Sequence, residues 1–314
     1  MNLAVVGLGA MGKLFGGRFA ASGTPTFLLD YREDRARQIH TQGLTITGPE
    51  GAQHANLYAD HRIEHIPVPT HVLVCVKAHQ TLTALERLRP WFTKDTTVML
   101  LQNGMPDLAT LASLVSPAIL ALAVTTEGAT SVDDTTVKHT GHGKTYLGPL
   151  NPASRPSLTA FKEAAVKAGF ETIMVPDIGQ YAWSKLLVNA GVNALGAILR
   201  VPNGVLLHPA HWGQVELAVK EGLQVMTAKG LVPAWDPFAF TRKVCEMTKD
   251  NLNSMFQDLQ TGRPTEVDAL NGYMAREGAA LSIPTPVNAS FVTMIHALEH
   301  QEGELAPLKK PGSA

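Results

Sequence analysis

Apolar residues fall into short uninterrupted runs in the first half of the chain, at residues 2–6, 26–30, 72–76, 98–101 and 119–124. Helical patterning occupies residues 10–21, 32–41 and 79–88 between them. Runs that are apolar throughout, rather than alternating, suit strands buried on both faces of a parallel sheet. Strand and helix in alternation predict βαβ units and an open, doubly wound, mostly parallel sheet. Between about 131 and 147 the pattern shortens into β-prone pieces broken by Gly141, Gly143 and Gly148. A helix at 157–168 and a strand at 171–175 follow. From Ile178 to about His300 the patterning is helical, with breaks at Pro202-Asn203-Gly204, Lys229-Gly230, Pro233, Gly262-Arg263-Pro264 and residues 284–286. The expected class is α/β, with an N-terminal sheet domain over 1–176 and an all-helical C-terminal domain over 177–300. Residues 301–314 are expected to fray.

Composition narrows this only a little. Of 314 residues, 45% are hydrophobic and 17% charged, and 26 basic against 27 acidic side chains leave a formal charge of −1, ordinary for a globular chain. No basic excess or stripe predicts nucleic-acid binding. The longest apolar stretch, residues 118–124, falls far short of the ~20 residues of a membrane span, so no membrane partner is expected. The opening MNLAVVGLGAMG lacks a basic n-region and reads as a strand feeding a glycine turn, not as a secretion signal. Cys75 and Cys245 form no metal or redox motif and no disulfide framework, which makes a reducing cytoplasm the expected compartment.

Gly7-Leu8-Gly9-Ala10-Met11-Gly12 is a G-x-G-x-x-G between the first strand and the first helix. The first glycine permits a tight turn, the second lets backbone approach a pyrophosphate, and the third allows close packing of helix on strand. Amide groups at the helix N-terminus would hold the phosphate charge. Asp30 ends the second strand, where a carboxylate accepts from an adenosine ribose and favours NAD. Arg32, two residues on, could instead clamp a 2′-phosphate. Arg35 and Arg37 read as a solvated helix face, while the choice for Arg32 is open. Lys77 and Asn103-Gly104 follow the third and fourth strands, at the strand ends where open α/β sheets bind ligands, although Asn103-Gly104 also fits a plain turn.

The richest segment is WSKLLVNAGVNAL at 183–195, in which Lys185, Asn189 and Asn193 recur every four residues. Steps of four at ~100° per residue keep all three on one helix stripe. Asparagine costs up to ~0.7 kcal/mol against alanine inside a helix, so a polar cleft explains the stripe better than a solvent edge does. A lysine there supplies a proton, and the amides orient carbonyl and carboxylate oxygens. Near Glu266, Thr265 could cap a helix with Asp268 at the third position, which would make Glu266 a helix-start carboxylate. His139-x-x-His142 has some metal flavour but no third ligand in view; both read as structural or exposed, and no metal is expected.

The ordered series GLGAMG at 7–12, VKA at 76–78, LLQNGM at 100–105, WSKLLVNAGVNAL at 183–195, SMFQDLQTGRPTEVDALNG at 254–272 and TPVN at 285–288 resembles the ketopantoate (2-dehydropantoate) 2-reductase family. The resemblance implies a Rossmann domain joined to a helical domain of the 6-phosphogluconate-dehydrogenase-like kind. It implies reduction of 2-dehydropantoate to (R)-pantoate, on the way to pantothenate and coenzyme A. By the same resemblance Lys185 is the general acid and Glu266 its partner. Ser254 and Asn189 touch the substrate, Asn193 and Asn103 close the site, and Lys77 lies on the cofactor. Relatives that use NADPH carry an arginine at the end of the second strand, and here the stretch is Leu29-Asp30-Tyr31-Arg32. NADP(H) is therefore the implied cofactor, with NAD(H) left open by Asp30. Desolvation would lower the pKa of Lys185 and Glu266 would oppose it. The same site fits a reductase of another small 2-oxo acid, and a non-catalytic cofactor-sensing protein is the rival of another class. Apolar faces in the helical part could support a homodimer.

Overall fold

The computed structural model describes residues 1–106, 108–150 and 157–300, so the expected frayed tail lies outside the described residues. The chain divides into two compact units, Met1–Gln102 with Pro106–Ile178, and Asn103–Met105 with the chain from Gly179 onward.

In the first unit the order is β1 (Leu3–Val6), α1 (Ala10–Ala21), β2 (Thr26–Leu29), α2 (Glu33–Gln42), β3 (Leu44–Gly48), β4 (Gly51–Ala55), β5 (Tyr58–Asp60), β6 (His71–Val74), α3 (Thr81–Leu88) and β7 (Thr97–Leu100). It continues through α4 (Leu108–Leu114), β8 (Leu120–Thr125), β9 (Gly128–Ser131), β10 (Thr136–Gly141), β11 (Lys144–Pro149), α5 (Thr159–Lys167) and β12 (Glu171–Met174). Eight strands form one sheet in the order β12-β11-β8-β7-β6-β1-β2-β5. Its pairs are parallel except β11 against β8. β1 is flanked by β2 on one side and β6 on the other, so the chain reverses its winding at β1. That switch point is where open sheets take ligands, beyond the carboxyl ends of the strands. The four residues of each of β1, β6 and β7 are buried, which is why they read as unbroken apolar runs.

A second sheet, β4-β3-β10-β9, was not among the expected elements over residues 44–55. Leu44 and Ile46 are buried while four of the five residues of β4 are exposed, so this hairpin carries only half of a strand pattern. α1 packs on both sheets, and two glycines make that possible. A Cβ at Gly16 would stand 2.6 Å from Leu28 of β2, and one at Gly17 would stand 2.6 Å from Ile46 of β3.

The second unit is helical: α6 (Ile178–Leu199), α7 (Pro209–Ala228), α8 (Pro237–Met247), α9 (Ser254–Gln260), α10 (Asn271–Ala280) and α11 (Pro286–Glu299). By length and composition α6 could cross a membrane, yet it is mostly buried among its neighbours, with Trp183, Leu186, Leu187 and Ala190 in the core. A buried polar web ties four helices together. Asn271 Nδ2 donates to Ala190 O (3.0 Å) and Asn288 Oδ1 (2.9 Å), and Asn288 Nδ2 donates to Ala218 O (3.1 Å) and Glu221 Oε2 (2.8 Å). The Glu221 carboxylate also accepts the N–H groups of Val287 and Asn288 in the first turn of α11, capping that helix from α7. Both cysteines are free thiols.

The glycine turn after β1 is sterically set. Gly7 has φ +90°, and a Cβ at Gly12 would fall 2.0 Å from Gly7 O. Gly12→Ala should therefore destabilise the protein by about 1–3 kcal/mol, the usual range for overpacking. A lower urea midpoint with an unchanged m-value is the expected result.

Candidate active site

The residues expected to hold a cofactor gather at the carboxyl ends of β1, β2 and β6. Gly9 is the N-cap of α1 and provides no side-chain cap, so the leading N–H groups of the helix, Ala10 and Met11 among them, lack intrahelical acceptors. A Cβ built on Gly9 would meet nothing within 4 Å, so open space lies before this positive helix end. The turn fits a pyrophosphate on both counts. Leu8 is buried and its N–H donates to Asp30 Oδ2 (3.2 Å). Lys77 is half-buried after β6. Gln102 donates through Nε2 to Val76 O (2.8 Å) and Thr81 Oγ1 (2.5 Å), which fixes the loops after β6 and β7 against each other.

Asp30 is already engaged. Its side chain is 0% exposed and accepts from Leu8 N, Arg32 N (2.8 Å), Arg35 Nε (3.0 Å) and Arg35 Nη2 (2.7 Å). Four donors fill the roughly four lone-pair positions of a carboxylate. The reading of Arg35 as a solvated residue is corrected here: it is largely buried and clamps Asp30, whereas Arg37 is exposed and pairs with Glu33. Arg32 is half-exposed and its guanidinium lies between Asp34 and Asp134, at 2.9 Å from the latter. Lys13 of α1 escaped the sequence reading altogether. It is buried, donates to Ser131 Oγ and to the carbonyl of Asp133 in the β9–β10 connection, and burial lowers its pKa to about 8.

In the second unit, Lys185, Asn103 and Glu266 come together. Lys185 Nζ donates to Asn103 Oδ1 at 2.9 Å, and Asn103 Nδ2 donates to Glu266 Oε2 at 3.2 Å. An ammonium only donates and a carboxylate only accepts, so the amide can bridge them in one orientation alone. Gly104 has φ +83°, and a Cβ there would stand 2.3 Å from Ala269 O, so the loop bearing Asn103 passes close to the segment after Glu266. Lys185 keeps some accessible area, but dense surroundings desolvate the ammonium and lower its pKa to about 8, against the raising effect of Glu266. Desolvation wins that contest.

Asn189 and Asn193 occupy the next two turns of the same α6 face. Neither side chain has a hydrogen-bond partner among the described residues, although Asn193 is 7% exposed. Asn253 caps α9 by accepting from Phe256 N (3.0 Å), while its Nδ2 is buried without a partner among the described residues. Ser254 opens α9, is exposed, and makes no hydrogen bond to Lys185, Asn189 or Asn193 among the described residues. The capping box expected at Thr265 does not form. Glu266 itself precedes a short 3₁₀ turn over Val267–Ala269, and Asp268 pairs with His296 at 3.2 Å.

Two family models match the chain, "Ketopantoate reductase PanE/ApbA" over residues 3–152 and "Ketopantoate reductase PanE/ApbA C terminal" over residues 177–299. The 2-dehydropantoate 2-reductase of Halobacterium salinarum is 30% identical over 94% of this chain and 98% of its own length. That of Archaeoglobus fulgidus is 31% identical, over 94% and 97%. Among solved structures, a PanE/ApbA family ketopantoate reductase from Ralstonia eutropha superposes with a TM-score of 0.87 at 28% identity, covering 95% of this chain and 98% of that one. A D-mandelate dehydrogenase solved with NADH has the same fold, with a TM-score of 0.87 at 24% identity, covering 95% and 98%. Matched across both units by family models and along nearly its full length by these relatives, the chain belongs to the ketopantoate reductase family.

Proposed function

We propose that this protein reduces 2-dehydropantoate to (R)-pantoate, serving pantothenate synthesis in the cytoplasm, with Lys185 as the general acid. The observation that carries the reading is the Lys185–Asn103–Glu266 chain beside two unpartnered amides on the same helix face. A reduced nicotinamide dinucleotide, when bound, supplies the hydride. The glycine turn over residues 7–12 would hold its pyrophosphate on the free amides of α1, with Lys77 at the end of β6 nearby in the same unit.

As the substrate C2 carbonyl becomes an alkoxide, Lys185 Nζ delivers a proton to that oxygen and is left as a neutral amine. Asn103 keeps the ammonium from rotating away. Glu266 adds negative charge that favours the protonated lysine, so the acid is loaded before the reaction. Asn189 and Asn193 offer amide donors to the carboxylate and keto oxygens, and Ser254 offers a hydroxyl to the substrate. The activity for which the relatives are named supports 2-dehydropantoate as that substrate. Turnover on another 2-oxo acid with none on 2-dehydropantoate would keep the chemistry and replace the substrate.

NADPH is the proposed cofactor. The Asp30 carboxylate is saturated by Arg35 and backbone donors, which leaves it no position for ribose hydroxyls. Arg32 is half-exposed just after β2, and a 2′-phosphate would take its guanidinium in exchange for the Asp34 and Asp134 carboxylates that it now holds.

Four outcomes are expected. Lys185→Ala should lower kcat by ~10²–10⁴ with cofactor affinity, read by fluorescence titration, nearly unchanged; a loss within about threefold would remove Lys185 from the acid's role. Because the acid must be protonated, kcat/KM should hold below pH 8 and fall above it, following the lysine pKa of about 8. Glu266→Gln deletes the charge that raises this pKa and should move the alkaline limb to lower pH; an unmoved limb would place the titration on another group. Arg32→Ala should raise KM for NADPH by about 10- to 100-fold, from the loss of charged hydrogen bonds, and leave NADH oxidation nearly as before. Equal effects on both cofactors would deny Arg32 a role at the 2′-phosphate.

A further inference from the structure

We propose that Glu127, His139 and His142 form a binding site for a divalent transition-metal ion of the zinc type, within the first unit and independent of the dinucleotide reading. The sequence shows two histidines; the fold adds the third group. Glu127 stands just before β9, His139 lies on β10, and His142 lies in the connection from β10 to β11. One potential ligand atom from each lies within 4.8 Å of the other two.

In an ordinary strand, residues three apart point to opposite faces. Here the β9–β10 register shifts between His139 and Gly141, the mark of an irregularity that admits an extra residue. Such a bulge resets the alternation and re-aims side chains. The two imidazoles end on the same side, with ring centroids 4.2 Å apart. This departs from the sequence reading, which left the pair without a third ligand.

The pocket is prepared for a cation in two further respects. Glu127 and His139 are buried, at 7% and 3% exposure, and His139 Nε2 lies 2.7 Å from Glu127 Oε2. The other ring nitrogen of His139, Nδ1, is buried with no partner among the described residues. Native interiors leave few such atoms unpaired, and each calls for an explanation. Coordination through Nδ1 would give that atom its partner, with Glu127 on Nε2 in the carboxylate–histidine arrangement that orients histidine ligands at metal centres. Two imidazoles, one of them backed by a carboxylate, suit zinc-like ions, whereas magnesium and calcium take oxygen ligands. Bonds of about 2.0–2.2 Å set tetrahedral ligand atoms roughly 3.4 Å apart, so atoms lying within 4.8 Å of one another need shift by no more than about 1–1.5 Å to close around an ion. His142 is exposed and can make that movement. Water completes the shell, and protons compete for the liganding nitrogens, so affinity falls with pH.

The test is a titration of the untagged, metal-stripped full chain with Co(II), followed by its visible ligand-field bands and by competition with Zn(II). One equivalent should bind saturably and be displaced by zinc. His142→Ala removes an exposed side chain, so the thermal midpoint of the metal-free protein should match that of the parent chain. Its metal affinity should fall by at least ~10-fold, the cost of losing even an outer partner at such sites. Glu127→Gln should weaken binding as well. Absence of a saturable single-equivalent spectrum would overturn the site, and so would His142→Ala binding cobalt as tightly as the parent, which would put the ion elsewhere.

Discussion

An ammonium withdrawn from water needs fixed acceptors, and at Lys185 the acceptor among the described residues is a single amide oxygen. The second unit is arranged around that need. α6 is apolar on most of its surface, so it buries deeply and carries Lys185 out of bulk solvent. Asn103 receives the ammonium on its oxygen and passes the interaction to Glu266 through its nitrogen. The amide thus relays charge between two groups that need not touch. A direct ion pair would raise the lysine pKa more strongly, whereas a neutral spacer lets desolvation bring the value down to about 8. The Glu221–Asn288–Asn271 web holds the neighbouring helices on α6 and so keeps its polar face in register.

The first unit solves a related problem with opposite charges. Asp30 is buried completely, which would cost several kcal/mol were it unpaired. Arg35 and two backbone amides satisfy it, and one of those amides belongs to the glycine turn itself. Lys13, one turn into α1, is tethered to the β9–β10 connection, while Arg32 is tethered to Asp134 in that same connection. The small sheet is therefore linked to α1 and to the segment after β2 through polar contacts at two points, in addition to the packing of α1 on β3.

How much of this the sequence disclosed depended on the distance over which each signal acts. The parallel strands were legible because burial on both faces leaves an unbroken apolar run. α6 was legible because its polar stripe repeats every four residues. The β3–β4 hairpin was not, because Gly51–Ala55 is mostly exposed and polar and its pairing partner β10 lies far along the chain. The bridge through Asn103 was hidden too, since its partners lie 82 and 163 residues away. Arg35 looked like any charge on a helix surface; only the burial of Asp30, five residues earlier, shows what it does. Thr265 and Asp268 carried the spacing of a capping box, but the chain there makes a 3₁₀ turn, and Asp268 finds a histidine on α11 instead.

The three-residue loop of Asn103–Met105 is grouped with the helical unit although it issues from β7 of the sheet. This restricts how such a protein can be rebuilt. A fragment beginning at Gly179 would retain the lysine and the glutamate but lose the amide that joins them. A fragment ending at Ile178 would carry that amide with no lysine to hold. The units are thus not interchangeable cassettes: any chimera that joins the helical part to a foreign sheet part must also transplant the tripeptide, or the lysine arrives without its tether.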